Sequence, residues 1–225
     1  MGRVITLDGP AGVGKSTLAK RVAEELGVAY LDTGAMFRTI ANTLGPEGLT
    51  LPRPAMEAEL AKLRFSLSGS GAATVLSCNG IPTGRDIRTE EVGMLASRYA
   101  TLPAVRAYLK KAQQALGAGY DLVAEGRDMG TAVFPSASDK FFLDASPEVR
   151  AERRAKQLAE TGVTEDLAKV TARIKERDEQ DRNRAIAPLV AAKDAVVIDT
   201  SRLDIDGVFN AIMREMKQLP QKSAP

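Results

Sequence analysis

The chain has 225 residues, 44% of them hydrophobic and 27% charged, the balance of a soluble globular protein with core enough for one α/β domain and a small insert. A formal net charge of +2 gives no case for a nucleic-acid partner, and no apolar run approaches the roughly 18 residues of a membrane span. One cysteine, Cys78, and no histidine exclude an intrachain disulfide, a His-based nucleophilic triad and a His-ligated zinc, and fit a reducing cytoplasm.

In chain order, Arg3–Leu7 reads as a first strand that starts too near Met1 to leave room for a leader peptide. Lys15–Leu26 reads as a helix stopped by Gly27, Val28–Asp32 as a second strand and Gly34–Leu44 as a second helix. The texture then changes. Gly45–Gly84 is rich in Pro and Gly, with a helical piece at Ala55–Leu63. Two alternating runs follow, Arg64–Ser68 and Thr74–Cys78, and then Asn79-Gly80, a hairpin signal. This predicts a small antiparallel insert. Helices are expected near Thr89–Ala100 and Pro103–Leu116, and strands at Asp121–Glu125, Lys140–Asp144 and Ala195–Asp199. Between these strands lie helices at Pro147–Leu158 and Glu165–Arg182, and a last helix runs from Ile205 to Leu219 before a frayed tail from Pro220. Short apolar strands alternating with helices predict a five-stranded parallel sheet covered on both faces, the three-layer α/β fold.

Gly9-Pro10-Ala11-Gly12-Val13-Gly14-Lys15-Ser16 fits the phosphate-binding pattern G-x-x-x-x-G-K-[ST], between a strand and a helix as its mechanism requires. The glycines let successive N–H groups turn toward phosphate oxygens, and the helix adds its positive end. Lys15 would reach the outer phosphates and the Ser16 hydroxyl would hold Mg²⁺. The loop implies a nucleoside triphosphate and leaves its fate open.

Two loops follow strands on the crevice side of a parallel sheet. Gly126-Arg127-Asp128-Met129-Gly130 offers a planar guanidinium for phosphate and a carboxylate for an amino group. In Asp32-Thr33-Gly34-Ala35-Met36-Phe37-Arg38, Asp32 or Thr33 suits a helix cap and Arg38 points toward the crevice. Farther on, Arg173, Arg177, Asp181 and Arg184 recur at helical spacing. That stripe has two readings. It is either a solvated helix end with i,i+4 pairs such as Arg177–Asp181, where nothing from Lys175 to Arg184 is buried, or a lid laying arginines on a polyphosphate.

The chain resembles the bacterial cytidylate kinase family of the nucleoside monophosphate kinase superfamily. The resemblance rests on Leu7 to Thr17, Leu31 to Arg38, Ile87-Arg88-Thr89, Gly126 to Thr131, and Lys175 to Leu189, in family order. It implies an ATP- and Mg²⁺-dependent kinase acting on CMP or dCMP by direct in-line transfer, cytoplasmic and monomeric, with no nucleic-acid or membrane partner. It further implies a kinase core at 1–44 and 86–225, a lid at about 153–184, and an acceptor-side insert at 45–85. By the same resemblance Gly9 to Thr17 hold ATP, and Ser97, Arg106 and Asp128 match readers of the cytosine edge. Arg38, Arg127 and Arg184 match ligands of the CMP phosphate, and Arg177 and Asp181 match contacts to the sugar. Thr33 and Phe37 fall among the acceptor positions. Lys15, Asp32, Arg127 and Arg184 are the implied catalytic set, with Asp32 near the phosphate–metal region. Arg153 and Arg154 lie where related lids carry further arginines.

Two positions depart from the pattern: Phe37 stands where many relatives have Tyr, and Glu125 where some have Asp. Rival readings are a phosphate-loop kinase with another acceptor and a nucleotide switch. The guanine-specific N-K-x-D of a switch occurs nowhere in the chain.

Overall fold

The computed structural model describes residues 2–160 and 162–218, the last two in their backbone alone. In order the elements are β1 (Val4–Asp8), α1 (Lys15–Leu26), β2 (Ala29–Asp32), α2 (Thr33–Leu44), α3 (Arg53–Leu60), β3 (Phe65–Ser68), β4 (Val75–Cys78) and β5 (Ile81–Pro82). Then come α4 (Glu90–Tyr99), α5 (Pro103–Gly119), β6 (Leu122–Gly126), β7 (Asp139–Asp144), α6 (Pro147–Glu160), α7 (Leu167–Asn183), β8 (Val196–Asp199) and α8 (Ile205–Gln218). The expected end of the last helix at Leu219 and the tail from Pro220 lie outside the described residues.

Five strands form a parallel sheet in the order β2-β6-β1-β7-β8. β1 lies at its centre, paired with β6 from Val4–Leu122 to Asp8–Gly126 and with β7 from Ile5–Asp139 to Asp8–Phe142. The chain winds to one side of β1 through β2 and to the other through β7 and β8. The loops after β1, β2 and β6 therefore open at one edge, where an open parallel sheet places its ligand crevice.

The strands read as continuous apolar runs because both faces are covered. On one face Leu31, Met36, Ile40, Tyr99, Val105, Leu109 and Leu122 pack under α2, α4 and α5. On the other, Ile5, Leu18, Val22, Phe141, Leu143, Val208 and Ile212 pack under α1 and α8. The small sheet β3-β4-β5 is antiparallel. It shares the first cluster through Leu67 and Leu76, with Leu63 just ahead of β3, and the Tyr120 hydroxyl donates to the Leu67 carbonyl at 2.8 Å. Asn79 and Gly80 both adopt positive φ, 52° and 80°, in the tight turn between β4 and β5.

Several boundaries differ from the sequence expectation for local reasons. α3 begins at Arg53 rather than Ala55, because Pro54 sits in the first turn, where a missing N–H costs nothing. α4 begins after Thr89, whose hydroxyl accepts from the Val92 amide at 3.2 Å. α5 continues to Gly119, with Leu116 and Gly117 buried at its end. A five-residue π turn, Met129–Val133, follows β6 and has no counterpart in the sequence expectation. Leu143 is fully buried in the α1/α8 face of the core. Leu143→Ala is expected to cost about 3 kcal/mol of unfolding free energy through transfer and cavity terms, read from urea denaturation; a loss under 1 kcal/mol would mean that this face repacks freely.

Candidate active site

The phosphate-loop backbone follows from its glycines and one crowded approach. Gly9 has φ of +147°, and a Cβ there would lie 2.1 Å from the Leu143 carbonyl oxygen, so no side chain fits. Gly12 has φ of +83° and runs against Arg150, whose Cβ would lie 3.3 Å from an added Cβ. Gly14 precedes α1 with no side chain capping the first amides. Val13 turns its side chain into the core, and Thr17 is exposed on the first turn of α1.

Lys15 is buried, and its Nζ donates to the Pro10 carbonyl at 2.6 Å. Burial first, and then the Arg127 charge, push the Lys15 ammonium down to about 7, against the pull of Glu125 and Asp8. Glu125, next to last in β6, accepts from the Tyr30 hydroxyl, and is pushed up by burial and by Asp32. Ser16 lines the same cavity as Glu125 and Lys15.

Beside the loop lies a cavity of about 260 Å³. Every acceptor residue implied by the resemblance lines it: Thr33, Phe37, Arg38, Ser97, Arg106, Arg127, Asp128, Arg177, Asp181 and Arg184. Lys15, Ser16 and Asp32 line it too, with Ala11 and Gly12 of the loop. The lining carries seven basic side chains against four acidic ones, so a chain nearly neutral overall presents one strongly cationic crevice.

These charges are interleaved. Arg106 Nη2 donates to Asp128 Oδ2 at 2.5 Å, and Arg184 Nη2 meets Asp128 Oδ1 at 3.4 Å. Arg184 Nη1 lies 3.7 Å from Asp181 Oδ1, and Arg127 Nε donates to Asp181 Oδ2 at 2.8 Å. Arg38 Nη1 donates to the carbonyls of Ile87 and Thr89, each at 3.1 Å. Asp32 is fully engaged: Oδ1 caps α2 through the Ala35 amide at 2.8 Å, and Oδ2 accepts from Arg88 Nη2 at 2.8 Å. Arg177 is half-buried, and its Nε is shut away from solvent with no partner. Burial first, and then the neighbouring Arg127, push its guanidinium down to about 10. The Phe37 ring faces the Arg106 guanidinium carbon at 5.9 Å from its centroid, so the ring's packing role remains without a hydroxyl.

The downstream stripe follows neither of its two readings in full. Arg177 and Asp181 face the cavity, but Asp181 pairs with Arg127 rather than with Arg177. Asp178 is buried, so the expectation that nothing from Lys175 to Arg184 is buried is wrong. Helix α7 ends at Asn183, and Arg184 turns out of it with extended backbone to reach Asp128. Arg173 faces elsewhere, bonding Glu165 and lying 3.7 Å from Glu90. Arg153 ties α6 to Thr200, donating to its hydroxyl at 3.0 Å and its carbonyl at 2.6 Å, which removes it from the cavity. Arg154 is exposed, close enough for its charge to act on Arg38.

A sequence model of the cytidylate kinase family matches residues 5–218. The chain belongs to the cytidylate kinase family. A "Cytidylate kinase" of Oleidesulfovibrio alaskensis is 60% identical over 214 residues, covering 95% of this chain and 98% of the relative. Another, of Lawsonia intracellularis, is 47% identical over 210 residues and 93% of both chains. The solved structure of an uncharacterized protein from Eubacterium ventriosum, 13% identical, aligns over 97% of this chain and 99% of that one with a TM-score of 0.53, a likeness of fold.

Three groups at this family site escaped the sequence argument. Tyr30 is invisible because its partner Glu125 lies 95 residues away. Arg88 had a signal in Ile87-Arg88-Thr89, but its pairing with Asp32 needs the fold. Arg150 and Asp178 bond each other behind the loop, 28 residues apart on two helices.

The depressed Lys15 has a consequence for stability. Between about pH 7 and its ordinary 10.5 the unfolded chain holds a proton that the native state lacks. The unfolding free energy therefore rises with pH across that window and falls toward pH 7. Lys15→Met is expected to remove a slope of up to about 1.4 kcal/mol per pH unit, measured by urea unfolding from pH 7.5 to 9.5; identical slopes in both proteins would refute it.

Proposed function

We propose that the protein transfers the γ-phosphoryl group of ATP to CMP or dCMP, giving ADP and CDP or dCDP. The carrying observation is the convergence of the phosphate loop with six arginines, Lys15 and the Arg106–Asp128 pair on one cavity. Membership of the cytidylate kinase family supports the same reaction. The acceptor phosphate is itself an oxygen nucleophile, largely dianionic at neutral pH. Its oxygen bonds to the γ-phosphorus as the bond to the β,γ-bridging oxygen breaks, and ADP leaves. No general base is required. Catalysis then consists of positioning and of charge neutralisation on the migrating group.

In this reading Gly9 to Thr17 hold the triphosphate, and Lys15 spans its outer phosphates. Arg38, Arg127 and Arg184 hold the CMP phosphate, with Arg127 and Arg184 placed to neutralise charge as it develops. Arg177 and Asp181 take the sugar, and Ser97, Arg106 and Asp128 read the cytosine edge. Thr33 and Phe37 shape the acceptor wall. Its hydroxyl donates to the Glu125 carbonyl, so Thr33 also fixes the end of β6. Asp32 supports the phosphate region through Arg88, since both of its oxygens are engaged.

A hard cation such as Mg²⁺ suits the Ser16 hydroxyl oxygen, which lines the cavity next to Lys15. Among the described residues no cluster of three His, Cys, Asp or Glu side chains forms a cage, which fits an ion held mainly by phosphate oxygens and water. When bound, it neutralises charge on those phosphate oxygens.

The division into a kinase core at 1–44 and 86–225, a lid at about 153–184 and an acceptor-side insert at 45–85 belongs to this proposal. So do the monomeric state, the cytoplasmic location and the lack of nucleic-acid or membrane partners. Among the described residues no helix is long and apolar enough to cross a membrane.

A coupled ADP-release assay with magnesium ATP and a panel of monophosphates tests the reading. CMP and dCMP are expected to lead; equal rates with AMP would sink the cytosine assignment. Arg177→Ala should raise KM for CMP about 10- to 100-fold, the loss of a charge-assisted contact of about 1.5–3 kcal/mol, with KM for ATP within about threefold. A variant with wild-type constants would return Arg177 to the solvated helix face.

A further inference from the structure

Arg150 is 1% exposed, among the largest fully buried side chains in the protein. All three guanidinium nitrogens are engaged. Nε donates to the Ala145 carbonyl at 2.9 Å. Nη1 donates to the Ala11 carbonyl of the phosphate loop at 3.1 Å and to Asp178 Oδ1 at 3.0 Å, and Nη2 donates to Asp178 Oδ2. One rigid fork thus joins the end of β7, the phosphate loop and the C-terminal part of α7.

Stability is a poor account of this pair. An apolar pair of the same volume commonly serves a core as well or better than two buried charges. The position of Asp178 is more informative. Of the 17 residues of α7, only Val170 and Asp178 are buried. Val170 anchors the start of the helix, so Asp178 is the buried tether near its acceptor-facing end. Asp178 directly follows Arg177 and lies less than one turn from Asp181, the two α7 residues that face the cavity.

We infer that Arg150 and Asp178 form a strut that couples the donor loop to the acceptor helix. Both are positioning residues. The inference rests on the reading that Arg177 and Asp181 hold the acceptor nucleotide. Triphosphate binding fixes the backbone around Ala11 and Gly12. The Ala11 carbonyl then fixes Arg150, the bidentate contact fixes the rotation of α7 at Asp178, and Arg177 and Asp181 are held in their acceptor-binding orientation. Linkage makes the effect reciprocal: bound acceptor must tighten donor binding by the same factor.

The test is calorimetric titration of CMP into the full chain, alone and saturated with magnesium adenylyl imidodiphosphate, a non-hydrolysable donor. The wild type is expected to bind CMP about fivefold or more tightly with the donor present, within the usual range of coupling between sites. Asp178→Asn is expected to bring that ratio below about two. Removing one partner of a buried pair endangers folding, so the double variant Arg150→Met with Asp178→Leu replaces both charges by apolar groups. It should fold, bind CMP, and also show a ratio below about two. A wild-type ratio of one, or a wild-type ratio retained in the double variant, overturns the strut while leaving the acceptor site standing. A wild type that binds no CMP in either state overturns the acceptor reading and the strut with it.

Discussion

Six arginines and a lysine around one small cavity repel one another strongly once water is thinned between them. Carboxylates threaded among those cations offset much of that repulsion, with Asp32 on Arg88 and two more between arginine pairs. Asp128 sits between Arg106 and Arg184, and Asp181 between Arg184 and Arg127. The surplus of positive charge that remains is what an anionic substrate neutralises. Lys15 and Arg177 carry the cost most visibly, since both are pushed toward losing their protons by burial and by Arg127. Phosphate groups would restore the ordinary balance, so the protein is electrostatically incomplete in a way that selects its ligand.

The fold supplies this arrangement from six separate stretches of chain, Arg38 on α2 and Arg88 just before α4 among them. The loop after β1 brings Lys15, the turn after β6 brings Arg127 and Asp128, α5 brings Arg106, and α7 with the segment beyond it brings Arg177, Asp181 and Arg184. A parallel sheet with its central strand first in sequence puts three loops at one edge. The helices then need only approach that edge from either side. Little net charge on the whole chain is consistent with this, because the excess is local.

Much of this was legible in the sequence. The phosphate loop is a contiguous pattern whose glycines and lysine carry their own mechanism, and strand–helix alternation follows from apolar periodicity. The resemblance named the acceptor positions, and all of them came to one cavity. What stayed hidden were pairings between distant residues. The helix stripe of Arg177 and Asp181 offers an obvious local ion pair, yet Asp181 takes Arg127, 54 residues away, which the fold brings to it from the turn after β6. Arg173 fits the stripe by spacing but lies one turn short of the cavity. Asp178 reads as one more charge on a solvated face, and only the fold shows Arg150 opposite it. Local periodicity reports which residues share a face; it does not report what that face meets.

Asp8, at the end of the central strand, accepts from the main-chain amides of Met129 at 2.9 Å and Gly130 at 2.7 Å. It grips the turn after β6 by its backbone, leaving the side chains of Arg127 and Asp128 out of the attachment. The turn is thus fixed to the central strand through main-chain bonds, while the Asp128 charge still acts on the Asp8 carboxyl. Such a joint separates the hold on the turn from the chemistry it displays: the side chains at Arg127 and Asp128 can be exchanged without deleting either bond that holds the turn to β1.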